Sequence, residues 1–250
     1  MPVFLKRLLI VCLLFIGGVG QKSLFATDAF PSTLRVEPQQ RDDYNWAERH
    51  RAVLAYHRQV SPTVVFIGDS ITHHWGGNPQ GARRVAPEIW DALFANVTVS
   101  NLGFGYDYAD NAYYRIVHGA LDGIAPRLIL LNIGTNNLGH RGDSPEACAA
   151  NVEALVALIQ RKQPQAHLLV LGIYPRREVA LREPIRQTNA LLKARLVGEK
   201  VTFADIGLCL AGEDGLALPQ YFRDTVHPNA AGYARLAAAL KPYLSRLGGE

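Results

Sequence analysis

The 250-residue chain is 48% hydrophobic, enough for one sizeable core and incompatible with a disordered polypeptide. Its formal charge of +4 belongs largely to the amino terminus: setting aside Lys6, Arg7 and Lys22 from 26 basic residues leaves 23 against 22 acidic ones, about +1. With no dense basic stripe, zinc-finger spacing or aromatic RNA-recognition pattern, no nucleic-acid partner is expected.

In chain order, residues 1–26 have the form of a secretory signal peptide. Lys6-Arg7 is the charged flank, and Leu8 to Val19 is apolar but shorter than the roughly 20 residues a spanning helix needs. Gly18-Val19-Gly20 and Leu24-Phe25-Ala26 are two candidate cleavage sites, and an uncleaved membrane anchor is the alternative. Cys12 follows Val11, which is not small, so a lipobox is not indicated. The expected destination is periplasmic or secreted. Residues 27–61 read as an N-terminal extension: a polar lead-in with Pro31 and Pro38, then a helix over 44–60 with Trp46, Val53, Tyr56 and Val60 near one face.

From residue 62 to 250 the pattern is that of one domain in which short apolar runs alternate with amphipathic stretches. Strands are predicted at 63–69, 97–102, 127–133, 167–173 and 201–206. A helix over 145–162 carries Cys148, Val152, Leu155 and Ile159 on one stripe, and a last helix over 229–247 carries Tyr233, Leu236, Leu240 and Leu244. Apolar strands separated by such helices imply a three-layer α/β/α fold, flavodoxin-like, around a five-stranded parallel sheet. Ligands of such sheets sit at the carboxyl ends of the strands. Ser70 and the glycine-rich segments 103–105 and 134–139 all follow strands and fall on that edge. Cys148 and Cys209 could pair in an oxidising compartment or remain two free thiols, and neither stands in a Cys-x-x-Cys motif.

The chemistry-bearing residues are few. Ser70 ends the apolar run Thr63-Val64-Val65-Phe66-Ile67-Gly68-Asp69-Ser70, and Asp224-Thr225-Val226-His227 precedes the last helix. A serine hydroxyl needs a base to take its proton, and a histidine oriented by a carboxylate is the usual one. At i, i+3 spacing the carboxylate can reach the near ring nitrogen and leave the far one facing outward. Taken singly, Ser70 could be a helix cap, Asp224 and His227 a capping pair, and Asn136 a turn residue.

Four segments in order change that balance: Gly68-Asp69-Ser70, Asn101-Leu102-Gly103-Phe104-Gly105-Tyr106-Asp107, Gly134-Thr135-Asn136-Asn137 and Asp224-Thr225-Val226-His227. Together they resemble the SGNH, or GDSL-type, hydrolase family of esterases and lipases, over residues 62–247. Within that family the chain resembles the small bacterial members that are themselves similar to the platelet-activating-factor acetylhydrolase catalytic subunit. The resemblance implies Ser70 as nucleophile, His227 as base and acid, and Asp224 as the group that orients the imidazole. It further implies an oxyanion hole from the Ser70 backbone N–H, the Asn136 side chain and a loop amide. The chain departs from the family at that amide, where Tyr106 replaces the customary glycine. Either Tyr106 donates from an ordinary backbone conformation, its ring flanking the acyl site, or Gly105 takes over through a one-residue shift. Asp69 is expected to be structural.

Other features are weaker. His73-His74 beside Trp75 has no acidic partner at ligand spacing, so the pair is read as lining the pocket rim, and no metal is expected. Arg141-Gly142-Asp143 is read as an incidental tripeptide, and Tyr174-Pro175-Arg176-Arg177 as a solvated loop that could alternatively touch substrate. Gly-x-Ser-x-Gly is absent, a dinucleotide fingerprint fails at Tyr108, and there is no phosphate-binding loop.

The sequence therefore points to an exported serine esterase that needs no cofactor and cuts short acyl esters, O-acetylated carbohydrate above all, since the loops are short and no long apolar lid is apparent. No stable protein partner is inferred. The rivals are an O-acyltransferase, a lysophospholipase or thioesterase with the same triad, and a catalytically silent carbohydrate-binding domain.

Overall fold

The computed structural model describes residues 44–81 and 83–247; the expected signal peptide over 1–26 and the lead-in over 27–43 lie outside the described residues. Five strands form one all-parallel sheet: β1 (Val64–Gly68), β2 (Val99–Gly103), β3 (Leu128–Asn132), β4 (His167–Leu171) and β5 (Val201–Ala204). Their spatial order is β2-β1-β3-β4-β5. The registers Val64 with Val99, Val64 with Leu128, Leu128 with His167, and Leu168 with Val201 keep the carboxyl ends at one edge.

The strands are apolar on consecutive residues because both faces are covered. Alternation sends Val65 and Ile67 of β1, Ile129 and Leu131 of β3 and Leu168 and Val170 of β4 to one side. There they meet α1 (Trp46–His57), α4 (Ala109–Arg115), α5 (Pro145–Lys162) and α6 (Val179–Arg195). Val64, Phe66, Leu128, Leu130, Leu169 and Leu171 face the other side, against α2 (Ser70–His73), α3 (Pro87–Leu93) and α7 (Ala230–Leu247).

Capping fixes where the helices begin. Asn45 accepts the Glu48 N–H at 2.9 Å to start α1, and Ser144 accepts the Ala147 N–H at 3.2 Å before Pro145, the first residue of α5. The stripe expected on α5 is buried throughout, and on α7 Tyr233, Leu236 and Leu240 are buried while Leu244 is partly exposed. On α1 the buried positions are Trp46, Arg49, Val53 and His57; Tyr56 and Val60 are only partly buried. The expected face is thus corrected, because two polar side chains occupy it. Arg49 donates to the carbonyls of Gly103 at 2.7 Å and Asn101 at 3.2 Å, and His57 Nε2 lies 2.7 Å from Ser100 Oγ. The helix expected within an N-terminal extension is therefore packed into the same core as the sheet.

The order β2-β1-β3 reverses the direction of winding between β1 and β3, which opens a crevice at their carboxyl ends. The loop after β2 is held beside that crevice by a fully buried ion pair. The Arg115 guanidinium lies 2.8 Å from Asp107, with both side chains at 0% exposure. Arg115 also donates to the Leu102 carbonyl at 3.2 Å, and Trp46 Nε1 donates to Asp107 at 2.8 Å. Removing one member of such a pair leaves the other charge buried without compensation. Arg115→Ala is expected to cost about 3–5 kcal/mol of unfolding free energy by chemical denaturation. A loss under about 1 kcal/mol would show that the pair does not hold the loop.

Candidate active site

β1 ends at Gly68, and the chain turns at once into the four-residue helix α2 beginning at Ser70. Asp69 makes the turn possible: it is buried, and its carboxylate accepts the Ile71 N–H at 2.9 Å. Burial pushes the Asp69 carboxyl up to about 7 against the opposing pull of that hydrogen bond. A Cβ on Gly68 would overlap Thr72 Oγ1 and the Asn132 carbonyl, which is why glycine precedes the turn. Ser70 itself is 7% exposed, and its N–H, the first of the helix, has no partner within it.

His227 arrives from the opposite end of the chain. Its Nε2 lies 2.8 Å from Ser70 Oγ and its Nδ1 2.8 Å from Asp224 Oδ2. Asp224 also accepts the backbone N–H groups of His227 at 2.7 Å and Val226 at 2.9 Å, so carboxylate and imidazole share one turn. That turn is anchored by Arg223 N–H to the His227 carbonyl at 3.0 Å, by Arg177 N–H to the Thr225 carbonyl at 3.0 Å, and by Asn229, whose side chain caps α7 through the Gly232 N–H at 3.0 Å. Tyr233 of α7 donates to the Ile71 carbonyl at 2.8 Å, tying this helix to the one that carries Ser70.

Burial raises the Asp224 carboxyl, but the two N–H groups and the imidazole outweigh it, and its pKa is lowered overall. The His227 pKa is also lowered: burial dominates, the Arg223 and Arg176 charges act the same way, and Asp224 opposes them. The imidazole is thus a neutral base at neutral pH, with its Nδ1–H directed to Asp224.

Besides Ser70, the residues expected to hold the oxyanion lie on the loops after β2 and β3. Gly103 permits the closest approach, since a Cβ there would collide with the His73 amide nitrogen. Phe104 is buried between two guanidinium groups, Arg115 at 3.8 Å and Arg49 at 5.1 Å from its ring centre. Asn101 donates to the Thr72 carbonyl at 2.8 Å and accepts the Gly103 N–H at 2.7 Å, stitching this loop to the nucleophile turn. Asn136 is buried and spends one amide proton on the Asp107 carbonyl at 3.0 Å, which leaves the second proton of its NH₂.

Gly105 and Tyr106 differ from expectation. The Gly105 N–H is directed to His73 Nδ1 at 3.2 Å, and its carbonyl accepts the Tyr44 hydroxyl at 2.9 Å. That amide is engaged behind the loop, so the one-residue shift to Gly105 finds no support. Tyr106 does not have an ordinary conformation: its φ is 62°, the left-handed value a glycine would adopt without strain. The backbone shape expected of a glycine is therefore kept by a tyrosine.

His73 and His74 do not line an exposed rim; both are buried. Burial, reinforced by nearby Arg49, holds His73 neutral with its pKa near about 2, so Nδ1 accepts the Gly105 N–H. His74 is pushed down to about 3 by burial and then by His227 and Arg223, and its Nδ1 lies 3.1 Å from the Arg223 guanidinium. Among the described residues no group of three or more His, Cys, Asp or Glu side chains could hold a metal ion. Tyr174 and Arg176 are buried, which corrects the solvated-loop reading; Arg176 pairs with Glu178 at 2.6 Å, and only Arg177 is exposed. Arg141 pairs with Asp143 at 2.7 Å and Asp110 at 2.8 Å, a structural use of the Arg-Gly-Asp tripeptide. Cys148 and Cys209 are both free thiols. A cavity of about 600 Å³ lined by Thr63, Arg127, Lys241 and their neighbours opens at the amino ends of β1 and β3, the wrong pole of the sheet for this chemistry.

A three-layer parallel sheet carrying a Ser-His-Asp chain at its switch point defines a hydrolase of acyl groups. Residues 66–235 match the GDSL-like Lipase/Acylhydrolase family, and the chain belongs to it; it is an ester-bond hydrolase. It is 33% identical to platelet-activating factor acetylhydrolase IB subunit alpha1 of Homo sapiens over 82% of this chain and 85% of that one. Its fold is shared by a member of the lipolytic G-D-S-L family from Veillonella parvula (TM-score 0.61, 24% identity, 74% and 98% of the two chains). The fold is also that of a carbohydrate acetylesterase from Sinorhizobium meliloti (TM-score 0.58, 18% identity, 75% and 100%).

The charge environment of His227 sets a pH profile. With His227 as the base, activity would require the neutral imidazole, so kcat/KM is expected to rise with pH to a plateau, with the midpoint of the rise below the ordinary 6.5. Arg223→Gln removes a charge that lowers this pKa, so its midpoint should move upward. A midpoint unchanged by the substitution would contradict the assignment.

Proposed function

We propose that this chain is an exported serine esterase that removes short acyl groups, O-acetyl above all, from carbohydrate through a covalent acyl-enzyme. The observation that carries the reading is the unbroken chain from Ser70 Oγ to His227 to Asp224, 2.8 Å at each step. In the first half-reaction Ser70 Oγ attacks the ester carbonyl while His227 Nε2 takes its proton. The tetrahedral oxyanion is held by the Ser70 N–H, the remaining proton of the Asn136 amide and the Tyr106 N–H. His227 returns the proton to the departing alcohol as the C–O bond breaks, leaving an acyl-Ser70 ester. Water, deprotonated by His227, then attacks this ester and releases the carboxylic acid and free Ser70.

Substrate class is argued from access. The Asp224 and His227 side chains are 44% and 21% exposed, so solvent reaches the triad from that side. The exposed large apolar side chains among the described residues, Val97, Tyr106, Val117, Val179, Val197 and Leu208, are scattered singly along the sequence. The carbohydrate acetylesterase from Sinorhizobium meliloti shares the fold and supports the same choice. Export rests on the charged and apolar leader from Lys6 to Val19. A catalytically silent binding domain has no use for a base aligned on a nucleophile.

p-Nitrophenyl acetate hydrolysis tests the reading. Ser70→Ala should lower kcat by about 10³-fold or more, and Asn136→Ala by about 10²–10³-fold with little change in KM. Equal rates for wild type and Ser70→Ala would overturn it, and a preference for octanoyl over acetyl esters would overturn the short-chain assignment.

A further inference from the structure

Tyr106 combines two unusual properties. It is the sole non-glycine residue with positive φ among those described. Left-handed backbone strains a non-glycine residue, and glycine at this position would avoid that strain. The side chain that incurs the strain is also half exposed, at 50%, whereas the rest of the loop from Asn101 to Asp107 is buried. A strained aromatic left half exposed in an otherwise buried loop points to use as a contact surface.

Its position says what that is. A Cβ built on the preceding Gly105 would stand 4.0 Å from the Ser70 Cβ, and the following Asp107 carbonyl accepts the Asn136 amide at 3.0 Å. Tyr106 therefore rises from the loop that borders both the nucleophile and the oxyanion side. Its ring lies 5.7 Å from that of His140, tilted by 55°. His140 sits on the turn that follows Asn136, so the two loops flanking the cleft each contribute one ring.

Both supports are stiff. The Tyr106 loop is fixed by the buried Arg115–Asp107 pair, and the His140 turn by Arg141 against Asp110 and Asp143. The neighbouring Tyr108 is itself covered by Arg141, whose guanidinium lies 4.8 Å from its ring centre. Rings carried on loops that are anchored before the ligand arrives lose less freedom on binding.

We infer that Tyr106, with His140 beside it, forms an aromatic platform that takes the C–H face of a pyranose ring next to the ester being cut. This rests on the esterase reading and deepens it: the platform makes Tyr106 the residue that distinguishes sugar esters from simple alkyl or aryl esters. The electron-rich face of a phenol ring attracts the partly positive C–H groups along one face of a sugar.

The test compares wild type, Tyr106→Gly and Tyr106→Phe on p-nitrophenyl acetate and on an acetylated xylooligosaccharide. The readout is the ratio of the two kcat/KM values, which cancels any shared effect on the oxyanion donors. Tyr106→Gly should lower the ratio in favour of the aryl ester by about tenfold, chiefly through KM for the sugar ester, and Tyr106→Phe should stay within about threefold of wild type. Glycine accepts this φ, so the melting temperature of Tyr106→Gly should not fall. An unchanged ratio in Tyr106→Gly overturns the platform while leaving the esterase reading intact. A fall in p-nitrophenyl octanoate hydrolysis instead of the sugar ester assigns the ring to the acyl chain and also overturns it. Failure of wild type on both acetyl esters removes the esterase reading, and the platform with it.

Discussion

The contact between Ser70 Oγ and His227 Nε2, 2.8 Å across a separation of 157 residues, is the constraint around which this chain is organised. Nothing local can produce it. Ser70 must leave β1 at the carboxyl edge of the sheet, and the Asp224–His227 turn must be delivered to that edge after four further strands. The parallel sheet, covered by helices on both faces, places every strand end on one side. The reversal of winding between β1 and β3 leaves room between the loops. α7 completes the arrangement by packing under β1 and bonding through Tyr233 to the helix that carries the serine.

Around that contact the protein buries polar groups in a paired state. Arg115 neutralises Asp107, Arg49 satisfies the carbonyls of Asn101 and Gly103, and Asn101 binds the backbone on both sides of itself. These pairings replace water in fixing the loop between β2 and α4. In exchange for the cost of burying charge, they yield a loop whose shape does not depend on its own side chains facing solvent. His73 and His74 belong to the same design. Burial holds both neutral, so each offers a lone pair, one to the Gly105 amide and one to Arg223. Burial, with Arg223 and Arg176 acting the same way, biases His227 toward its neutral form, while Asp224 restrains that bias.

How much of this was legible in the sequence depends on whether a residue's partners are local. The apolar runs located all five strands, and the stripe from Cys148 to Ile159 located α5, because hydrophobic periodicity reports burial directly. The same logic misread α1, where Arg49 and His57 take core positions through hydrogen bonds that hydropathy cannot represent. α6 went unread for a related reason: Pro184 lies within it, and its buried face includes Thr188 and Asn189. The carboxylate and imidazole on one turn could be read from their i, i+3 spacing. The role of His73 could not, since its partner Gly105 lies 32 residues on and only the fold brings them together. Tyr106 stood out as a departure from the family pattern, but its left-handed backbone is a property of the folded loop that no local pattern announces.

The central claim is that one serine is activated as a nucleophile by one histidine, and covalent capture measures it directly. The protein would be treated with diisopropyl fluorophosphate, which phosphorylates activated serines, then digested and mapped by mass spectrometry. A single adduct on the peptide containing Ser70, absent when His227 is replaced by alanine, is the predicted result. Loss of esterase activity with the adduct on any other residue, or full labelling of Ser70 without His227, would contradict the account.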